Sequence, residues 1–227
     1  QLFDMPRDVA YLNAAAWSPL PLATQEAARS AVARKGQPWK LNSDFADAQH
    51  ERARAAAARL IGADVGDVAL VSSVGYGVAI AGKVFAPAKG SRVLVLENDH
   101  TSPVLEWMSR AEAQGFTIDT VAQPADGDWT SAVLAAIERP GASPLSLASI
   151  SSVHWSDGGL IDVDRVQASL KRQGAAFLID ATHGVGVLGE AAERGHHDAA
   201  GGGHHLAPAV EGDHGGEGRL RRAPGGG

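Results

Sequence analysis

Short apolar runs alternate with amphipathic stretches along the first 189 residues. VALV at 68–71, RVLVL at 92–96, FTIDTV at 116–121, LSLASIS at 145–151 and AAFLI at 175–179 are mostly flanked by glycine or polar residues. Such runs suit strands buried on both faces of a parallel sheet. Helical patterns separate them. Residues 44–61 are Ala-rich, with Ser43 or Asp44 as N-cap and Gly62 just past the end. Residues 101–114 are stopped by Gly115, 130–138 by Pro140 and Gly141, and 164–173 by Gly174. Residues 22–35 read as an amphipathic helix ahead of the first strand, entered through Pro19 and Pro21. Strands alternating with helices predict an α/β fold, a mainly parallel sheet flanked by helices on both faces. No internal repeat is visible. Ligands of such sheets bind beyond the carboxyl ends of the strands, so the loops there carry the candidate chemistry.

The pattern stops near residue 189. Of 27 glycines, eleven lie after Gly189, as do five of nine histidines: His196, His197, His204, His205 and His214. Large apolar residues there are only Leu206, Val210 and Leu220. Two units are therefore expected, a folded 1–189 and a low-complexity tail 190–227.

Composition narrows the classes. A chain of 227 residues that is 44% apolar can bury one core. Having no cysteine, it has no disulfide, thiolate metal site or cysteine nucleophile. No apolar run reaches the ~18–20 residues of a membrane span, and residues 1–20 lack the basic start of a signal peptide. A net charge of −6 argues against general nucleic-acid binding. A cytoplasmic protein is expected.

Four strand ends hold candidate residues. After 68–71 comes Ser72-Ser73-Val74-Gly75-Tyr76-Gly77 leading into a helix. Free N–H groups at a helix start favour a phosphate, although from the residues alone a plain tight turn with no ligand is the stronger reading. After 92–96 comes Glu97-Asn98-Asp99-His100-Thr101-Ser102, with Trp107 one helical turn further. His100 suits either stacking on a flat ligand or a polar helix start. After 145–151 comes Ser152-Val153-His154-Trp155-Ser156-Asp157-Gly158-Gly159, an unusual place for a tryptophan in a plain connection. After 175–179 comes Asp180-Ala181-Thr182-His183-Gly184. A carboxylate directly after a buried run is costly unless paired; a ligand ring nitrogen or the cap of a following helix would each serve.

Together these loops resemble the class V aminotransferase family, pyridoxal-phosphate (PLP) enzymes of fold type I that include cysteine desulfurases and isopenicillin-N-epimerase-like proteins. YLNAAAWSPLP at 11–21, SSVGYG, ENDHTSPVLEW, SSVHWSDGGLIDVDRV and FLIDATHGVG occur in the family's order, covering nearly all of 1–189. The resemblance implies an incomplete PLP-transferase large domain. It implies Asp180 on the pyridine nitrogen, keeping the ring an electron sink, and His100 stacked on the ring. It implies Val74, Gly75 and Tyr76 at the phosphate, His183 near the phenolate oxygen, and His154 or Trp155 lining that side. Gly75 stands where relatives often carry Ser or Thr. An amino-acid substrate and a homodimer are implied for intact relatives.

The resemblance fails at one residue type. The family's Schiff-base lysine should fall in 199–210, AAGGGHHLAPAV, and the last lysine anywhere is Lys171. The chain as written is therefore expected to be catalytically dead, with PLP held non-covalently at best. For 190–227 three readings stand: an out-of-frame tail, a disordered segment, or a weak His-rich metal binder with no fixed ligand set; the first best explains the abrupt end of the motifs. Without further strands, VALV is expected to present an open, aggregation-prone edge. The chain begins at Gln1, so its native start is expected elsewhere.

Overall fold

The computed structural model describes residues 2–14 and 17–188; the tail 190–227 and the stretch 199–210 lie outside the described residues. Six helices, α1 (Leu22–Lys35), α2 (Ser43–Ile61), α3 (Val74–Val84), α4 (Thr101–Gln114), α5 (Trp129–Ile137) and α6 (Val163–Gln173), accompany four strands. The strands are β1 (Arg92–Leu96), β2 (Thr117–Val121), β3 (Leu145–Ser151) and β4 (Ala176–Asp180). They form one parallel sheet in the order β2-β1-β3-β4.

Alternation along the central strands builds two cores. On one face Leu94, Leu96, Ala148 and Ile150 pack with Val133 and Ile137 of α5 and Val166 and Leu170 of α6. On the other Val93, Val95 and Leu147 pack with Val78 and Ala81 of α3 and Trp107 of α4. One register shift between β1 and β3, beside Arg92 and Val93, puts Leu145 on the first face although Leu147 lies on the second. The helices thus cover both faces, as the apolar runs predict.

Five expectations change. VALV forms no strand. Residues 68–71 follow a single 3-10 turn (Val65–Asp67), and Leu70 is half exposed. Only Val68 is buried, against Ala58 and Ile61 of α2, so this run serves a small helix-packing cluster. A strand is defined by a paired neighbour, and among the described residues none lies beside it; the sheet's open edges are β2 and β4 instead. Helix α1 has its expected limits but buries no residue, so its pattern does not produce a packed face. Helix α2 is capped by Asn42, whose side chain accepts from the N–H of Phe45, because Ser43 is already helical. Helix α5 begins one residue early, with Asp128 accepting from Ser131. Helix α6 likewise begins at Val163, with Asp162 accepting from Arg165.

The end of the sheet opposite the strand-end loops is closed by charge. Arg92 is buried and donates to Asp119 Oδ2 at 2.7 Å, to the Ser143 carbonyl at 2.9 Å and to the Ile137 carbonyl at 3.0 Å. Arg139 meets the same carboxylate at 2.6 Å. Removing one partner of a buried pair strands the other charge. Asp119→Ala is therefore expected to cost roughly 3–5 kcal/mol in urea unfolding; a loss within ~0.5 kcal/mol would show the pair to be inert.

Candidate functional site

Strand order places the site. From β1 the chain passes through α4 to β2 on one side. It then returns through α5 to β3 on the other side of β1 and continues through α6 to β4. Helix α4 packs on the face opposite α5 and α6. The loops leaving β1 and β3 therefore part in opposite directions, and the crevice between them is where open parallel sheets bind ligands. His100 and the 152–161 loop stand on its two sides.

The β1 loop is fastened across this crevice. The Asp99 carboxylate accepts from the backbone N–H of Ser151 at 3.0 Å and from its hydroxyl at 2.6 Å. It also accepts from the N–H of His100 at 2.7 Å. Asn98 sits at φ 55°, a left-handed position that asparagine tolerates better than most residues. His100 ends exposed at the start of α4.

The β3 loop closes on itself through the Val153–Leu160 bridge and the His154 N–H to Gly159 carbonyl bond of 2.8 Å. His154 lies inside it, fully buried, its ring stacked on Trp129 with centroids 4.5 Å apart. Nε2 lies 3.0 Å from the Glu97 carbonyl, so it carries the proton and donates. Nδ1 faces the Ser156 hydroxyl at 3.1 Å and Asp157 Oδ1 at 3.2 Å. Trp155 points the other way: half exposed, it donates from Nε1 to the Asn98 carbonyl at 2.6 Å and meets the His100 ring edge-on at 6.3 Å.

Asp157 organises the loop. It accepts from the N–H of Gly159, the indole of Trp129 and the amide of Gln123. The Gly159 and Trp129 bonds, in that order, hold its carboxyl below the ordinary carboxylate range against a burial effect that raises it.

Asp180 ends β4 beside β3, in register with Ser151. It is buried, and Oδ1 accepts from the N–H and hydroxyl of Thr182 at 3.0 and 2.6 Å. Among the described residues no group bonds its other oxygen. The following turn exposes His183 and buries Gly184 against Ser152; a Cβ at 184 would lie 2.7 Å from the Ser152 hydroxyl oxygen. Strands are ~4.8 Å apart, so the ends of β1 and β4, one on each side of β3, lie roughly 10 Å from each other.

Val74, Gly75 and Tyr76 form the first turn of α3. Ser73 caps it by accepting from the Tyr76 N–H at 3.1 Å, which leaves the N–H groups of Val74 and Gly75 at the helix end. A Cβ at Gly75 would lie 4.0 Å from the Ser102 hydroxyl, so the starts of α3 and α4 adjoin. The structure thus gathers Val74, Gly75, Tyr76, His100, Asp180 and His183 around the strand ends, and buries His154 behind them. Sequence reasoning missed Asp99, Asp157, Trp129 and the cap Ser73. The Asn98-Asp99 turn before a helix and the Asp157-Gly158-Gly159 run were the available signals. No group of metal-ligating side chains occurs among the described residues.

The profile of the family described as Aminotransferase class-V matches residues 10–189. Solved structures share the fold. A cysteine desulfurase from Thermococcus onnurineus NA1 matches at 21% identity and TM-score 0.60, covering 77% of this chain and 44% of that one. The cysteine desulfurase CsdA from Escherichia coli matches at 20% and 0.61, covering 81% and 47%. The cystine C-S lyase C-DES, solved with its product cysteine persulfide, matches at 18% and 0.64, covering 79% and 49%. The chain spans less than half the length of each. No curated protein sequence matches it.

Two outcomes test this geometry. A Cβ at Gly159 would overlap Trp129 and lie 2.6 Å from its Nε1. Gly159→Ala should therefore lose about 1–3 kcal/mol in thermal or urea unfolding, and an unchanged midpoint would contradict the packing. The depressed Asp157 carboxyl contributes stability that is complete above its ordinary value of about 3.9 and is lost as pH falls through the lowered one. Wild type should thus lose more stability than Asp157→Asn on acidification from about pH 5 to 2; parallel pH–stability curves would refute it.

Proposed function

We infer function from the premise that the chain belongs to the aminotransferase class V family, and propose that residues 1–189 are the cofactor-holding part of a PLP enzyme acting on an amino acid. Residues 190–227 form a tail outside that part. The observation that carries this is Asp180, a buried carboxylate with one oxygen tied to Thr182 and the other left for a ligand, at the same sheet end as the start of α3 and His100.

The residues present fit the group. A carboxylate suits a protonated ring nitrogen, and Thr182 fixes its orientation by donating twice to Oδ1. Val74 and Gly75 offer outward N–H groups and the positive helix end to a phosphate, while the Tyr76 N–H serves the Ser73 cap. A glycine at 75 leaves that approach open. His100 presents an exposed ring. His183 and Trp155 are exposed for the phenolate side, and buried His154 is left to support them.

Bound there, PLP supplies an electron sink for bonds at the substrate α-carbon. Asp180 holds the ring-nitrogen proton, the α3 start fixes the phosphate, and His100 limits the ring's tilt. A lysine is needed for the covalent link, and none of the five in the chain lies in a loop that follows a strand. Lys35 and Lys40 lie in and just after α1, Lys83 in the last turn of α3, Lys89 before β1 and Lys171 in the last turn of α6. The chain by itself accordingly holds PLP without a covalent bond and turns over no amino acid. Pairing of two copies and a cytoplasmic setting complete the proposal; no described helix is long and apolar enough to cross a membrane.

Equilibrium dialysis with PLP should show saturable binding, weakened on the order of 10- to 100-fold in Asp180→Ala, the loss expected for one charge-assisted hydrogen bond. Absence of binding at millimolar PLP would sink the reading. Borohydride treatment should leave no pyridoxyl adduct, and a trapped lysine with turnover of any amino acid would overturn the claim of inactivity.

A further inference from the structure

Two consecutive carbonyls of the β1 loop are each held by one of two consecutive side chains of the β3 loop. Buried His154 reaches inward to the Glu97 carbonyl at 3.0 Å, and exposed Trp155 reaches outward to the Asn98 carbonyl at 2.6 Å. The two side chains leave the turn on opposite sides, one buried and one half exposed, so this stretch grips the loop from within and without. Asn98 is the loop's residue of positive φ, and His100 follows two positions later. Supporting contacts make the grip stiff. The His154 ring is fixed by its stack on Trp129 and by Ser156 and Asp157 at its other nitrogen. The Glu97 carboxylate accepts from the Gln123 N–H at 2.9 Å.

We propose that His154 and Trp155 act as a positioning pair that sets the place of the His100 ring, through the Glu97 and Asn98 carbonyls, without His154 touching the ligand. This rests on the reading of His100 as the residue lying against PLP. A buried aromatic–imidazole stack would be satisfied by several ring pairs. What singles out His154 is the donor at Nε2, which must meet one particular carbonyl across the crevice.

The donor position gives the test. Glutamine places an N–H near Nε2, whereas asparagine places one only near Nδ1. In the 227-residue chain, His154→Gln should keep PLP affinity near wild type and His154→Asn should weaken it about tenfold, the effect of losing one anchoring hydrogen bond. That weakening should vanish in a His100→Ala background, because coupled residues are not additive. The His100 ring Cε1–H resonance, assigned by its loss in His100→Ala, should shift in His154→Asn and in Trp155→Phe and stay in place in His154→Gln. Trp155 is exposed, so its variant folds even where a His154 variant does not. Equal losses in Gln and Asn, full additivity with His100→Ala, or an unmoved resonance in Trp155→Phe would each overturn the proposal. The resonance is read without cofactor, so a chain that binds no PLP fails the functional reading and leaves this one to be judged separately.

Discussion

The site depends on one topological constraint, the reversal of winding between β1 and β3. A parallel sheet must be covered on both faces, and α4 covers one while α5 and α6 cover the other. Where the chain changes direction, two adjacent strands send their following loops to opposite faces. Backbone groups at those two strand ends would lack partners. The chain supplies them from side chains: Asp99 takes the Ser151 N–H, His154 the Glu97 carbonyl and Trp155 the Asn98 carbonyl. The crevice is thus both where open parallel sheets take ligands and where side chains pair backbone groups of the two strand ends.

That double demand explains the chemistry found there. Each of the three carboxylates at this end has donors, Asp99 from Ser151, Asp157 from Gly159 and Trp129, Asp180 from Thr182, and Asp180, the buried one of the three, needs them most. They differ in what remains. Asp99 and Asp157 are committed to loops, whereas Asp180 keeps one oxygen without a partner among the described residues. Glycine serves the same crowding from the other side, at 159 under the Trp129 indole and at 184 against Ser152.

Much of the sheet was legible because its central runs are buried on both faces, which leaves no other use for RVLVL or LSLASIS. VALV has the same composition and is not a strand. Pairing is a relation to a neighbour, and no residue of the run itself records whether one is present. Helix ends shifted by a residue for a similar reason: Asn42, Asp128 and Asp162 were as eligible to cap as their neighbours, and the backbone chose among them. In the site, Asp180 could be singled out from sequence because a charge after AAFLI is energetically conspicuous. His154 could not be assigned to one side of its loop, since adjacent residues alternate and either it or Trp155 could have faced the crevice.

The sequence by itself determined the alternation of strand and helix, the glycine stops, the position of the loops that carry polar residues and the absence of any lysine after Lys171. Those are properties of composition and period, which neighbouring residues settle among themselves. Tertiary structure alone decided the strand order, the crevice between β1 and β3, the inward turn of His154 and the outward turn of Trp155. These rest on contacts between residues more than fifty positions apart, where the free energy depends on which partner arrives and not on the local pattern.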